Sequence, residues 1–453
     1  MAQKPSIPKG TRDFSPAVML KRNYLMGVIK KAFQTFGYLP IETPSMENLS
    51  TLMGKYGEEG DRLIFKILNS GDFLKKVDAN VDFEAKKMIS KISEKALRYD
   101  LTVPFARYVV QNQNEIAFPF KRYQVQPVWR ADRPQKGRFR EFFQCDADVV
   151  GSPSLLYEVE LIQLYDTVFT ELKLPTIIKL NNRKVLSGIA EVIGEGDKLI
   201  DITVAIDKLD KIGLEKVKEE MQTKGVSGSA IEKLDPILNM KGDAKQKLAT
   251  MREVLADSVI GLEGVEEIQT VIDKVEVLGL DSAELDFDLT LARGLNYYTG
   301  SIFEVEAKGV QMGSVGGGGR YDDLTGIFGL KDMPGIGISF GLDRIYLVVE
   351  ELGLFPSLEA DFTQVLFVNF GESEADYCLK ALRDLRKAGV NSELYPDAAK
   401  MKKQMNYANK KGIPYVVLVG EDEMNSGLLT VKNMNDGTQS NVSVVDLIKQ
   451  LKA

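Results

Sequence analysis

The 453-residue chain contains no histidine, only two cysteines and a single tryptophan. Without an imidazole, Ser-His-Asp and Cys-His nucleophile systems are excluded, as are histidine-ligated zinc and an imidazole general base. The chemistry left is that of carboxylates, arginines, lysines, hydroxyls, backbone amides and a hard cation held by oxygens. Cys145 and Cys378 lie far apart in sequence, which rules out a CxxC metal or redox site and fits a reducing interior. No apolar run approaches the ~20 residues that a spanning helix needs. The opening "MAQKPSIPKGTRDFSP" lacks the apolar core of a secretion signal, so a cytoplasmic protein without membrane association is expected. Positive charge is in deficit as well: 58 basic against 65 acidic residues leave a formal charge of −7. That argues against non-specific coating of nucleic acid, but not against a local basic groove.

What is present describes a soluble globular protein, with 44% hydrophobic and 27% charged residues, and a length that favours two or three domains. Against the acidic background, residues 128–151 read "VWRADRPQKGRFREFFQCDADVVG". Arg130, Arg133, Lys136, Arg138 and Arg140 put five cations within eleven residues. Pro134 and Gly137 mark a loop, and the flanking stretches 118–130 and "FREFFQCDADVVG" read as strands, so the cations sit around a hairpin tip. Guanidinium forks match phosphate oxygens, and Phe142 and Phe143 follow directly, where an aromatic ring can stack a base. A solvated charged loop is the bland alternative. Arg138 and Arg140, at alternate positions of an extended segment, fall on one side of it, which favours a polyanion site.

Elsewhere, Ser15 and Pro16 open a helix with Leu25, Ile29, Ala32 and Phe36 on one face, stopped by Gly37. "YLPIETPSMEN" is extended, since Pro40 and Pro44 forbid helix. Residues 61–69 read as a strand, followed by the charged, helical "KKVDANVDFEAKKMISKISEKALR". A helix over 154–173 precedes a strand at "TIIKLNN", and residues 183–285 read as a charged helical module. "GGGG" at 316–319 is either a phosphate-cradling loop, without the spacing of a known one, or a strand that something approaches closely. After "FPSLEAD" the pattern alternates strand and helix over about 90 residues, a compact α/β domain with a partly parallel sheet.

Together the stretches resemble class II aminoacyl-tRNA synthetases. "FGYLPIETPSMEN" (around 37–48, with Pro44) is similar to motif 1, "VWRADRPQKGRFREFFQ" (within 120–150) to motif 2, and "GIGISFGLDRI" (335–350), ending near Arg344, to motif 3. "LARGLNYYTGSIFEV" and "SVGGGGRYDDL" resemble two signatures peculiar to the histidyl-tRNA synthetase family, and "KGTRDFSP" and "LRYDLTVPFARY" also fit. The resemblance runs from about residue 8 to the C-terminus. It implies an α+β class II catalytic domain over 1–360, an antiparallel sheet flanked by helices. A helical insertion at 183–285 lies within it, and an α/β anticodon-binding domain occupies 361–453. The implied reaction is ATP-dependent activation of L-histidine to histidyl-adenylate and transfer to the 3′ end of histidine tRNA, by a homodimer that uses ATP and Mg²⁺. In-line attack on phosphorus needs positioning and charge neutralisation more than proton transfer, so a chain without histidine can perform it.

Residue by residue, the resemblance implies that Arg130 and Arg293 are catalytic, flanking the α-phosphate and the substrate carboxylate. ATP would be held by Arg130, Asp132, Arg138, Phe142 and Arg344, with magnesium near Asp132 and its ligands unknown. Histidine would be held by Asp100, Leu101, Thr102, Arg130, Gln144, Asp148, Arg293, Tyr297 and Tyr298. Arg133 and Gln135 would face the tRNA acceptor end, and the lysines of "KMKKQMNYANKK", with Tyr407, fall in the domain expected to bind the anticodon. Several positions depart from the common bacterial pattern: Ala131 and Phe143 stand for histidines, Asn296 for aspartate, and Asp100 and Asp148 for glutamates. None of these removes a catalytic charge. The second reading is a non-catalytic, histidine-sensing regulatory paralogue of histidine biosynthesis. Such paralogues lose the motif 2 and 3 arginines and the anticodon domain, whereas Arg130, Arg293, Arg344 and the α/β tail are present here.

Overall fold

The computed structural model describes residues 4–77, 84–206, 208–240, 242–291, 297–358 and 362–452. The chain divides into two compact units, Met1–Phe355 and Pro356–Ala453. In the first, eight strands form one sheet: Leu39–Pro40 (β1), Phe120–Trp129 (β2), Glu141–Val150 (β3), Thr176–Asn182 (β4), Glu284–Phe287 (β5), Ser301–Ala307 (β6), Gly316–Arg320 (β7) and Gly335–Gly341 (β8). Their order is β1-β2-β3-β8-β7-β6-β4-β5. Only the two edge pairings, β1 with β2 and β4 with β5, are parallel. The antiparallel centre matches the expectation for the catalytic unit.

One face of this sheet is covered by the helices Pro16–Thr35, Leu156–Glu171 and Leu342–Glu351. The first starts as its sequence demands: the Ser15 hydroxyl accepts the Val18 N–H, Pro16 occupies the first turn, and Leu25, Ile29, Ala32 and Phe33 are buried. Those side chains meet Cys145, Ala147 and Val149 of β3 and Phe340 of β8 in one core. The stretch 183–285 is helical up to β5, and its Val185, Ile189, Val265 and Ile268 belong to the same continuous core as Leu180 of β4.

The strand expected at 61–69 forms only at Lys66–Ile67. A helix, Gly57–Leu63, takes its first part, and only Lys66–Ile67 pairs with another strand, Lys95–Leu97. The Asp61 side chain accepts the Gly54 N–H (2.8 Å) while its carbonyl takes Lys66 Nζ (2.6 Å), so the segment turns where a strand would have run on. The charged stretch after it contains the helix Ala85–Ile92, with residues 78–83 outside the described set.

The second unit has a five-stranded sheet, Val365–Phe367 (β9), Ser392–Leu394 (β10), Tyr415–Leu418 (β11), Leu429–Asn433 (β12) and Gln439–Val442 (β13), in the order β10-β9-β11-β12-β13. β9 runs parallel to both its neighbours, and the remaining pairings are antiparallel. The β12–β13 hairpin departs from the strand–helix alternation expected after "FPSLEAD". It turns at Gly437, whose φ of +76° suits glycine. Among the described residues, no helix is long and apolar enough to cross a membrane.

Candidate active site

The β2–β3 hairpin carries its loop beyond the sheet, in a register that pairs Trp129 with Glu141 and Gln126 with Gln144. The Arg130 N–H donates to Arg140 O (3.0 Å) at the loop's base, and Gln135 and Arg138 exchange backbone bonds of 3.1 and 2.9 Å at its tip. Along β3, Cys145, Ala147 and Val149 enter the core, so period-two geometry turns Gln144, Asp146 and Asp148 to the opposite face. There they line an inner recess of about 50 Å³. The recess has a backbone floor because glycine lets strands approach: a Cβ on Gly337 would lie 1.9 Å from Asp148 Oδ1, and one on Gly318 would lie 2.2 Å from Gly337 O. The four glycines at 316–319 are therefore a closely approached strand, not a phosphate loop.

Outside the recess lies an open cleft of about 680 Å³, lined by Arg130, Asp132, Arg138, Phe142 and Arg344. Both cavities are bounded by Arg130, Gln144 and Tyr298. Arg130 is held in place: Nε donates to Tyr99 O (3.0 Å), Nη2 donates to Gln144 Oε1 (3.4 Å), and the guanidinium lies over the rings of Tyr99 (4.3 Å) and Phe142 (5.3 Å). Arg344, at the start of its helix, donates to Gly137 O (2.9 Å) and Ser314 O (2.8 Å), which ties it to the hairpin loop. Arg138 stands 3.8 Å from Asp132 and is exposed, as are Arg133 and Gln135 at the tip, which line neither cavity. At the cleft wall, Asp343 pairs with Arg12 and with Arg22 (2.5 Å), and its Oδ2 accepts the Phe143 N–H (3.0 Å).

The inner recess is acidic. Asp100 accepts the hydroxyls of Tyr56 (2.8 Å) and Tyr297 (3.3 Å) and the Val103 N–H (3.2 Å). Burial pushes its pKa up, and these donors and Arg130 oppose that. Asp148 lies 2.7 Å from Arg122 and accepts the Tyr321 hydroxyl at 2.5 Å; burial raises its pKa against the pull of Arg122. Asp146 is pushed up to about 7, by burial first, with Arg122 opposing. Gln144 donates to Ser339 Oγ (3.1 Å) and Asp146 (3.4 Å), which turns its carbonyl toward Arg130. Outer cations with an aromatic ring suit a nucleoside polyphosphate. An inner set of acceptors and hydroxyls suits a small ammonium compound with a further hydrogen-bond donor.

Of the residues expected in the site, Asp100, Thr102, Arg130, Gln144, Asp148, Tyr297 and Tyr298 come together at the recess. Leu101 does not: it is fully buried and lines neither cavity, and only its carbonyl takes part, accepting from Arg122 at 3.5 Å. Arg293 and Asn296 lie outside the described residues. The sequence reading missed Tyr56, Tyr99, Tyr321, Asp146, Ser339 and Arg122. Asp146 alone carried a signal, since it alternates with Gln144 and Asp148. Among the described residues, no cluster of three or more metal-ligating side chains is present.

Residues 72–345 match the family model described as histidyl-tRNA synthetase, and residues 364–453 match that of an anticodon binding domain. A Christiangramia forsetii protein named histidine–tRNA ligase is 66% identical, with both chains covered in full. The crystal structure of histidyl-tRNA synthetase from a Nostoc species superposes with a TM-score of 0.83 at 32% identity, covering 100% of this chain and 99% of that one. A Bacillus halodurans structure, titled as an ATP phosphoribosyltransferase regulatory subunit/histidyl-tRNA synthetase, shares the fold at 20% identity, a TM-score of 0.71, and 90% and 97% coverage. With a ligase matching over the full length and the family model covering residues 72–345, the chain belongs to the histidyl-tRNA synthetase family of class II aminoacyl-tRNA synthetases.

Proposed function

We propose that the inner recess holds L-histidine and the outer cleft ATP, so that the chain acts as a histidine–tRNA ligase. The observation that carries this reading is the shared boundary of the two cavities: Arg130 and Gln144 stand where a carboxylate from one side would meet a phosphate from the other. Arg130, fixed by Tyr99 and Gln144, holds the substrate carboxylate and the α-phosphate together. Holding reactants in attacking geometry and neutralising charge is what adenylation requires. Arg138 and Arg344 take the outer phosphates, and Phe142 stacks on adenine. Arg293, outside the described residues, is assigned by family resemblance as the second cation for the charge developing at phosphorus. The α-ammonium finds Asp100, Thr102 and Gln144, and the imidazole finds Asp148 and Tyr298.

ATP would be handled with Mg²⁺, a hard cation that takes oxygen ligands and lowers the charge on the phosphates; Asp132 and Glu304 in the cleft lining would supply such oxygens. Arg133 and Gln135 meet the tRNA acceptor end, where an arginine suits the O6/N7 edge of guanine. The second unit, with its lysine-rich helix Met401–Lys411, binds the anticodon. The protein works in the cytoplasm as a homodimer, whose contact uses the exposed Leu39 and Met46 of the motif 1 region. Charging of bulk tRNA with each amino acid in turn tests the activity. Histidine alone should be attached, and attachment of any other amino acid in its place would overturn the assignment. Light scattering near the 50.4 kDa of one chain would contradict the dimer.

A further inference from the structure

Arg122 has no role in the scheme above, yet its guanidinium is completely buried beneath the inner recess. It lies 2.7 Å from Asp148 and 4.2 Å over the Phe105 ring, and donates to Leu101 O at 3.5 Å. Among the described residues, its Nε and Nη1 have no hydrogen-bond partner. A buried arginine that leaves donors unpaired is a poor way to stabilise a core, where apolar side chains of similar volume serve as well or better. The charge is therefore better explained by what lies above it.

Three buried carboxylates, Asp100, Asp146 and Asp148, line the recess. The ligand's α-ammonium balances one of them. Left alone, Asp148, joined by Asp146 where the pH exceeds about 7, would favour a protonated ring, because an anion within about 4–6 Å favours the cationic form by roughly 1–3 pKa units. We propose that Arg122 is a positioning residue that sets specificity: by pairing with Asp148 from behind, it makes the recess accept the neutral imidazole of histidine and reject the imidazolium. The inference rests on the reading that histidine occupies this recess.

The groups facing Asp148 leave Arg122 as its charge partner. From the neighbouring elements come the hydroxyls of Tyr321, Tyr298 and Tyr38, and burial pushes all three upward in pKa, so they stay neutral through the window of interest. Asp100 adds negative charge, and Arg130 sits beside Asp100 at the junction of the two cavities. Asp146, two residues along the strand, titrates near 7 and adds a pH dependence that belongs to the protein.

The test is the ratio of histidine Kd at pH 5.5 to that at pH 7.5, in the full chain, with a triazole analogue of histidine as control. The triazole ring takes no proton in this range, so its ratio reports the protein's own groups. With a free imidazole pKa of ~6.5, a site that binds only the neutral ring loses about tenfold in affinity across these two units beyond the triazole ratio. Arg122→Gln, which removes the charge, should bring the excess below about threefold, and Arg122→Lys should keep it near tenfold. An Arg122→Gln protein that retains the tenfold excess, or an Arg122→Lys protein that loses it, overturns the proposal. If Arg122→Gln yields no folded protein, Arg122→Lys decides alone by the same criterion. A wild-type chain without the excess would instead defeat the neutral-ring reading of the recess before Arg122 is touched.

Discussion

Replacing Asp148 by asparagine removes one charge from the recess while preserving its shape. Two groups already meet this carboxylate, Arg122 as an ion pair at 2.7 Å and the Tyr321 hydroxyl as a hydrogen-bond donor at 2.5 Å, and the bound ring would bring a second donor. A carboxylate can accept both donors on its two oxygens and keep the ion pair. An asparagine offers one oxygen and turns an N–H₂ toward the others, so one donor goes unpaired at about 1–3 kcal/mol, and the surviving bonds lose their charge assistance, roughly another 1 kcal/mol. Histidine affinity should therefore fall about 30- to 900-fold. Stability should fall as well, because Arg122 loses its counter-charge. The ceiling is about 3–5 kcal/mol for breaking a buried pair, and the amide oxygen that still accepts reduces it. Calorimetric titration of histidine and of ATP, with a thermal melt on the same samples, separates the two effects. ATP affinity should be nearly unchanged, since Asp148 does not line the outer cleft. Equal losses for both ligands would make Asp148 a structural residue, and an unchanged histidine Kd would refute the assignment of the recess.

Arg293→Ala should lower single-turnover adenylate formation by about 10²–10³ while ATP affinity changes less, as for loss of one preorganised charge; a raised KM at unchanged rate would contradict that role. Asp146 should make the fold less stable as pH rises. Its folded pKa of about 7 lies above its ordinary 3.8, so the folded state binds more proton between those values, and up to about 1.4 kcal/mol per pH unit is lost on going from pH 4 to 7. The stability of Asp146→Asn relative to wild type should rise over that window and level off above it. A difference independent of pH would show that Asp146 does not titrate there. Deleting residues 361–453 should leave pyrophosphate exchange intact and greatly weaken tRNA charging, and full charging by the truncated chain would refute the anticodon role.

Much of the site was readable because it lies on local patterns. The cation-rich loop between two alternating stretches is the β2–β3 hairpin, and Gln144 and Asp148 share a face by strand period alone. Arg122 was not readable, because "FPFKRYQ" places it beside Lys121 as one of two ordinary strand cations. Only the covering of both sheet faces buries it. Tyr56, Tyr99 and Tyr321 come from three separate segments, and no local spacing brings them together. The missed helix Gly57–Leu63 shows the ambiguity of short apolar runs, where the same Leu63 and Ile64 can serve either a helix end or a strand. The β12–β13 hairpin did leave a signal, the Asp436-Gly437 pair between two alternating runs.

The most direct measurement is exchange of labelled pyrophosphate into ATP. Exchange should require histidine, should proceed without tRNA, and should be lost when Arg130, at the junction of the two cavities, is replaced by alanine. A folded wild-type chain that binds both histidine and ATP yet shows no histidine-dependent exchange would contradict the account and leave a binding module in place of a catalyst.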